Sequence, residues 1–160
     1  MIRPATAEDA EAVARVHLET WRVAYAHVFP LEALEDFSAE RVARRAEMHR
    51  RAPPVVAEVD AEIVGFVSVG PATDEDADGE LYAIYVLHTR WGTGVGRELI
   101  GAGEDRLREL GHREAVLWVL DDNPRARRFY EAAGWTPDGT RRPIEVFGVC
   151  VPEIRYAKTL

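Results

Sequence analysis

Apolar and polar positions alternate along the chain in two rhythms, and the changes between them mark out the elements. Ile2 to Ala5 reads as a short strand, and Thr6 as the cap of a helix from about Ala7 to His27. Along that helix Ala10, Val13, Ala14, His17, Trp21 and Ala24 recur at the spacing of one buried face. Pro30 breaks it; a second helical region follows to about Arg51, where Pro53-Pro54 stops it. Val55 to Val59 and Ile63 to Val69 change to strand character and form a hairpin around Asp60-Ala61-Glu62. An acidic loop, Thr73 to Gly79, leads into a strand from Glu80 to Leu87. A glycine-rich turn then opens a helix that reaches about Leu110, with Gly111 as its stop. Arg113 to Leu120 is a strand, followed by a short helix. Asn123 caps that helix, Pro124 takes its first position and Gly134 lies just past its end. Strands near Trp135 to Pro137 and from Phe147 to Tyr156 complete the chain. The order β-α-α-β-β-β-α-β-α-β-β predicts an α/β sandwich with a mixed sheet.

The turn between the fourth strand and its helix, His88-Thr89-Arg90-Trp91-Gly92-Thr93-Gly94-Val95-Gly96-Arg97, carries the most chemistry. Glycines bend the backbone tightly and leave nothing between peptide N–H groups and a ligand. At a helix N-terminus those N–H groups favour phosphate. A Walker loop requires Lys after its second glycine, and the only lysine is Lys158. The dinucleotide fingerprint G-x-G-x-x-G fails as well, because its third glycine falls on Arg97 or on Leu99.

The spacing instead resembles the acyl-CoA loop of the GNAT superfamily of N-acetyltransferases, R/Q-x-x-G-x-G/A, with Trp91 where Arg or Gln is usual. A second segment strengthens the resemblance. Asn123, Ala126, Phe129, Tyr130, Gly134 and Trp135 fall on the family's N-x-x-A-x-x-F/L-Y-x-x-x-G-F helix, with Trp for the final Phe. The resemblance covers nearly the whole chain. It implies a single GNAT-type domain over residues 1–160, with a mixed central sheet of about seven strands flanked by about four helices.

The implied reaction moves an acetyl group from acetyl-CoA to a primary amine by direct attack through a tetrahedral intermediate. The backbone of Ile84, Tyr85 and Val86 would pair with the pantetheine arm, and the Val86 N–H would face the oxyanion. Gly92, Thr93, Gly94, Val95, Gly96, Arg97 and Asn123 would hold the cofactor. Tyr130 would protonate the departing thiolate. Glu80, where some members carry a catalytic glutamate, would act as base through water. An ordinary packing tyrosine at 130 and a solvated strand-end glutamate at 80 are the plainer readings of those residues. Family members that acetylate a ribosomal protein N-terminus carry a glutamate where Trp118 stands, which points to a small-molecule amine instead. A protein N-terminal or lysine acetyltransferase and a non-catalytic acyl-CoA sensor stay open.

Composition narrows the partners. Among 160 residues the net charge is −8, which argues against a general basic surface for nucleic acid. One cysteine, Cys150, reads as a small apolar strand residue and allows no internal disulfide. Met1-Ile2-Arg3-Pro4 has no apolar signal run and no segment is long enough to span a bilayer, so a cytoplasmic monomer or homodimer is expected. No histidine has metal-ligand spacing, so no metal is expected; His49 and His112 read as surface. Asp74, Glu75, Asp76 and Asp78 read as a solvent-facing run. The family's acceptor pocket is shaped by the first two helices and the loop between the last two strands. Its candidates here are His17, Trp21, Tyr25, Phe29, Phe37 and the segment Arg141 to Phe147.

Overall fold

A computed structural model describes residues 1–160. Seven strands are joined in one sheet in the order β1-β2-β3-β4-β5-β7-β6. They are β1 (Ile2–Pro4), β2 (Val55–Val59), β3 (Glu62–Pro71), β4 (Gly79–Val86), β5 (Glu114–Leu120), β6 (Thr136–Val146) and β7 (Val149–Thr159). The α-helices are α1 (Ala10–Ala24), α2 (Leu31–Leu34), α3 (Ala39–Arg51), α4 (Val95–Glu109) and α5 (Pro124–Ala132). β4 runs parallel to β5, whereas the pairs β1–β2, β2–β3, β5–β7 and β6–β7 are antiparallel, so the sheet is mixed as the element order predicted. No helix is long and apolar enough to cross a membrane.

The chain forms two compact units, residues 1–68 with 83–103 and residues 69–82 with 104–160. In the first, α1 meets α3 through Ala10, Ala14 and Leu18 against Val42 and Ala46. Val13 and Val16, on the adjoining stripe of α1, pack on Val56 and Phe66. Both stripes follow the three- and four-residue period read from the sequence. In the second unit Leu107, Leu117, Trp135 and Tyr156 are fully buried. The Trp135 indole donates to the Glu104 carboxylate at 3.0 Å, and Lys158 Nζ meets the same carboxylate at 2.8 Å. That gives the single lysine a structural post.

Three regions differ from expectation. The first helix begins as a 3₁₀ turn, Ala7–Asp9, because the Asp9 carboxylate folds back onto the Thr6 N–H at 2.7 Å. It ends at Ala24 instead of His27. The second helical region splits into α2 and α3, since Ser38 Oγ accepts from the Arg41 N–H and starts a new helix. Five helices result where about four were expected. The segment from Arg141 to Phe147, expected as a loop, is strand up to Val146 and pairs from Arg141↔Ile154 to Val146↔Val149. Phe147 and Gly148, at φ 52° and 74°, make a two-residue hairpin turn of the kind Asp60-Ala61 makes at 53° and 64°.

Candidate functional site

The β4–α4 turn builds an open row of amides. A 3₁₀ turn at His88–Arg90 is closed by the Arg90 N–H on the Leu87 carbonyl at 2.8 Å, and Thr93 Oγ1 donates back to the Arg90 carbonyl at 2.7 Å. Gly92 and Gly94 then take φ of 77° and 96°, the left-handed region that glycine enters without cost. A Cβ built on either would meet nothing within 4 Å, so no neighbouring protein atom requires glycine there. The first i to i−4 bond of α4 runs from the Glu98 N–H to the Gly94 carbonyl. The N–H groups of Gly94, Val95, Gly96 and Arg97 therefore precede the helical ladder, on exposed or half-buried residues.

Trp91, the departure from the family pattern, has a definite post. Its indole N–H donates to the Val86 carbonyl at 2.8 Å and ties the glycine turn to the end of β4. Ile84, Tyr85 and Val86 are all half-buried instead of alternating in and out. The parallel ladder of β4 with β5 covers Gly79↔Ala115 and Glu80↔Val116, and so ends before Ile84. Gly65 of β3 permits the close approach on β4's other side: a Cβ there would lie 2.9 Å from the Tyr85 carbonyl oxygen and 3.1 Å from Val86. Sequence reasoning missed Gly65, although a lone glycine inside a strand pattern is a signal of close backbone approach.

In the unit of residues 69–82 and 104–160, Glu80 is buried and not a solvated strand end. Its carboxylate accepts from Thr73 Oγ1 at 2.9 Å and from the Thr73 N–H at 3.2 Å. The acidic run just after Thr73 is not a free solvent-facing patch either. Arg155 of β7, itself buried, holds Asp76 through two nitrogens at 2.7 and 2.8 Å, Asp74 at 3.2 Å and Asp138 at 2.7 Å. Hydrogen bonds donated to Asp76 first, then to Asp138 and Asp74, raise the Arg155 pKa further. Trp118 donates to Asp74 at 2.9 Å. Asp78 accepts from His112 Nδ1 and from the Arg113 N–H, both at 2.9 Å, so His112 is engaged with the loop instead of lying loose on the surface. Thr73 and Arg155 carried no signal in the sequence; three-dimensional pairing alone gives them these posts.

In the same unit, Asn123 caps α5 with Oδ1 on the Ala126 N–H at 3.2 Å, and Pro124 takes the first helical position. Tyr130 is buried at 8% exposure, edge-on to Phe129 and 6.3 Å from the Tyr156 ring. Gly134 stops the helix at φ 88°. Cys150 lies in β7 as expected, with its side chain exposed.

The unit of residues 1–68 and 83–103 gathers most acceptor-pocket candidates in one aromatic cluster. Trp21, Tyr25 and Phe29 meet pairwise at 5.2 to 6.1 Å between centroids, Trp21 stacked on Phe29 and Tyr25 edge-on to both. Phe37 packs instead against the α1–α3 core. His17 lies 5.0 Å from Tyr85 and 5.5 Å from Phe66 by ring centroids, with its Nδ1 3.4 Å from His49 Nε2. His49 is thus buried at 4% exposure, contrary to its surface reading among charged neighbours. Burial, with the Arg45 charge, pushes His49 down to about 4 and keeps His17 well below the usual imidazole range. Both rings are neutral at pH 7.

The sequence pattern of the Acetyltransferase (GNAT) family matches residues 11–135. The chain belongs to this family. YuaI, an uncharacterised N-acetyltransferase of Bacillus subtilis, is 31% identical over 157 residues, 96% of this chain and 89% of that one. A mycothiol acetyltransferase of Sanguibacter keddieii is 40% identical over 86 residues, which are 51% of this chain and 27% of that protein. The fold is that of the PaiA N-acetyltransferase from Thermoplasma acidophilum, solved in complex with coenzyme A. It superposes at a TM-score of 0.77 over 100% of this chain and 98% of that one, at 20% identity.

The glycine turn of this GNAT enzyme fits the diphosphate of coenzyme A. Two left-handed glycines leave open the volume a side chain would fill, and four amides at a helix N-terminus have no intrahelical acceptor.

Proposed function

We propose that the protein transfers an acetyl group from acetyl-CoA to the primary amine of a small molecule. The observation that carries this reading is the β4–α4 turn, whose amides of Gly94 to Arg97 stand before the first helical bond. Gly92, Thr93, Gly94, Val95, Gly96 and Arg97 would hold the diphosphate, and the backbone of Ile84 to Val86 would take the pantetheine arm as an added strand. When bound, acetyl-CoA supplies an activated thioester.

The chain's own residues manage the protons. An alkyl amine is overwhelmingly cationic at pH 7, so its proton must leave before it is a nucleophile. Glu80, anchored by two hydrogen bonds from Thr73, is the proposed base, acting through water. Tyr130 is the proposed donor to the leaving thiolate, and Asn123 adds a cofactor contact to its capping role. The Val86 N–H is the proposed oxyanion donor; the Trp91 bond to the Val86 carbonyl steadies the end of that strand. Trp118, occupied with Asp74, supports a small amine over a protein N-terminus. Coenzyme A release from acetyl-CoA, followed with a thiol reagent across a panel of amines, tests the reading. Turnover of at least one small amine is expected; silence across the panel, with acetyl-CoA still bound, would mark a sensor.

A further inference from the structure

We infer that Arg45 recognises an anionic group and that the acceptor amine carries a carboxylate. The inference rests on the proposed acetyl transfer and names its substrate class. The arginines that are not fully exposed provide the contrast. Arg3, Arg22, Arg90, Arg127 and Arg155 each pair with a carboxylate. Arg41 donates to the backbone carbonyls of Ala33 and Asp36. Arg45, half-buried on α3, has neither; its guanidinium lies 5.7 Å from the centre of the Trp21 ring.

The chain has 28 acidic residues, and none of them answers this charge. No carboxylate is among the ionisable groups that act on it. Arg41 and Arg44 on the same helix are cationic, and His17 of α1 and His49 of α3 are neutral. Tyr85 of β4, the remaining titratable group that acts on it, raises its pKa, but burial lowers it by more. Burial destabilises the unanswered cation, which an incoming anion would relieve. A carboxylate suits it better than a phosphate dianion: one planar fork beside the Trp21 ring offers a bidentate grip on a single flat anion. The link to the reaction is Tyr85, whose ring lies tilted against His17 in this cluster and which belongs to the strand proposed to take the pantetheine arm.

The test compares α-amino acids with their primary amides and decarboxylated amines in the coenzyme A release assay. The amides are the sharper control, since their amines are less basic and more neutral at pH 7; without recognition of the carboxylate they would react faster. Wild type is expected to favour the acids in kcat/KM by about tenfold or more. Arg45→Met should raise KM for the acids by about ten- to a hundredfold while leaving the amides within about twofold. Arg45→Lys keeps the stem and charge but loses the fork, and should fall between; Arg45→Glu should reverse the preference. Melting curves confirm that each variant is folded. Equal use of acids and amides by wild type, or equal losses on both in Arg45→Met, would overturn the inference and leave the acetyl-transfer reading intact. Silence of wild type across the panel would overturn both.

Discussion

Two turns in this chain do the same architectural job, and they end differently. Each leaves a strand of the sheet and starts a helix: β4 into α4 through Leu87 to Gly94, and β5 into α5 through Asp121 to Asn123. A helix start leaves N–H groups without intrahelical acceptors, and both turns meet that requirement. At α5 the chain answers with its own atoms. Asn123 Oδ1 accepts from Ala126, and Pro124 removes a donor altogether. At α4 no side chain caps the helix; Gly94 is in the cap position, at φ 96°, with open space where a side chain would be. A helix that caps itself needs nothing further for stability. One that leaves its amides bare in the same chain is open to an anion.

The widest break of this comparison would come from giving α4 the kind of cap α5 has. Gly94→Asp places a carboxylate, itself a good helix cap, on the row of open amides. Acetyl-CoA affinity should fall by at least about a hundredfold, because the diphosphate meets a charge of its own sign on the amides it needs. The fold should lose only about 1 kcal/mol, the cost of a left-handed non-glycine residue partly offset by capping. Calorimetric titration together with a melting curve separates the two effects. Undiminished affinity would remove the turn from the cofactor site.

Tyr130→Phe probes the other helix without touching its cap. If the phenol donates to the leaving thiolate, kcat should fall about a hundredfold with acetyl-CoA affinity nearly unchanged. A purely packing tyrosine would leave kcat close to wild type, because Phe keeps the ring against Phe129 and Tyr156. Asn123→Ala comes next in size. It should cost about 1 kcal/mol of stability through the lost cap on Ala126. Its effect on acetyl-CoA affinity should stay under about tenfold, because the side chain's main post is inside the protein. A loss as large as that of Gly94→Asp would mean both turns serve ligand equally.

What was legible in the sequence was the local chemistry. The period of α1, the Asp60-Ala61 turn, the Asn123-Pro124 start and the two left-handed glycines at 92 and 94 all depend on neighbours within a few residues. The failures share the opposite property. His49 has Glu47, Arg50 and Arg51 beside it in sequence and looks exposed; its burial comes from His17 and Phe66, far away in the chain. Asp74 and Asp76 look like a solvated run until Arg155, about eighty residues later, is brought against them. Glu80 was singled out by family position, but the Thr73 grip that buries it follows from a loop folding back on its own strand. The length of β6 was hidden by the prolines and charges in TPDGTRRPIEV, which weaken a strand pattern that pairing with β7 nonetheless sustains.

The finest adjustment of the two-turn comparison lies at Gly96. The acyl-CoA pattern allows Gly or Ala there, and the structure gives a reason: the residue sits in the first turn of α4 with ordinary helical backbone, unlike Gly92 and Gly94. Its amide can serve a diphosphate equally well with a methyl group on the α-carbon, provided the ligand does not press against that carbon. Gly96→Ala should therefore gain up to about 1 kcal/mol of stability from helix propensity. Acetyl-CoA affinity should change by less than about threefold, under 1 kcal/mol. Thermal melts and titration of the single variant read both quantities. A gain in stability accompanied by a tenfold loss of affinity would show that the ligand packs on residue 96 itself. The bare row would then be gripping by shape as well as by its amides.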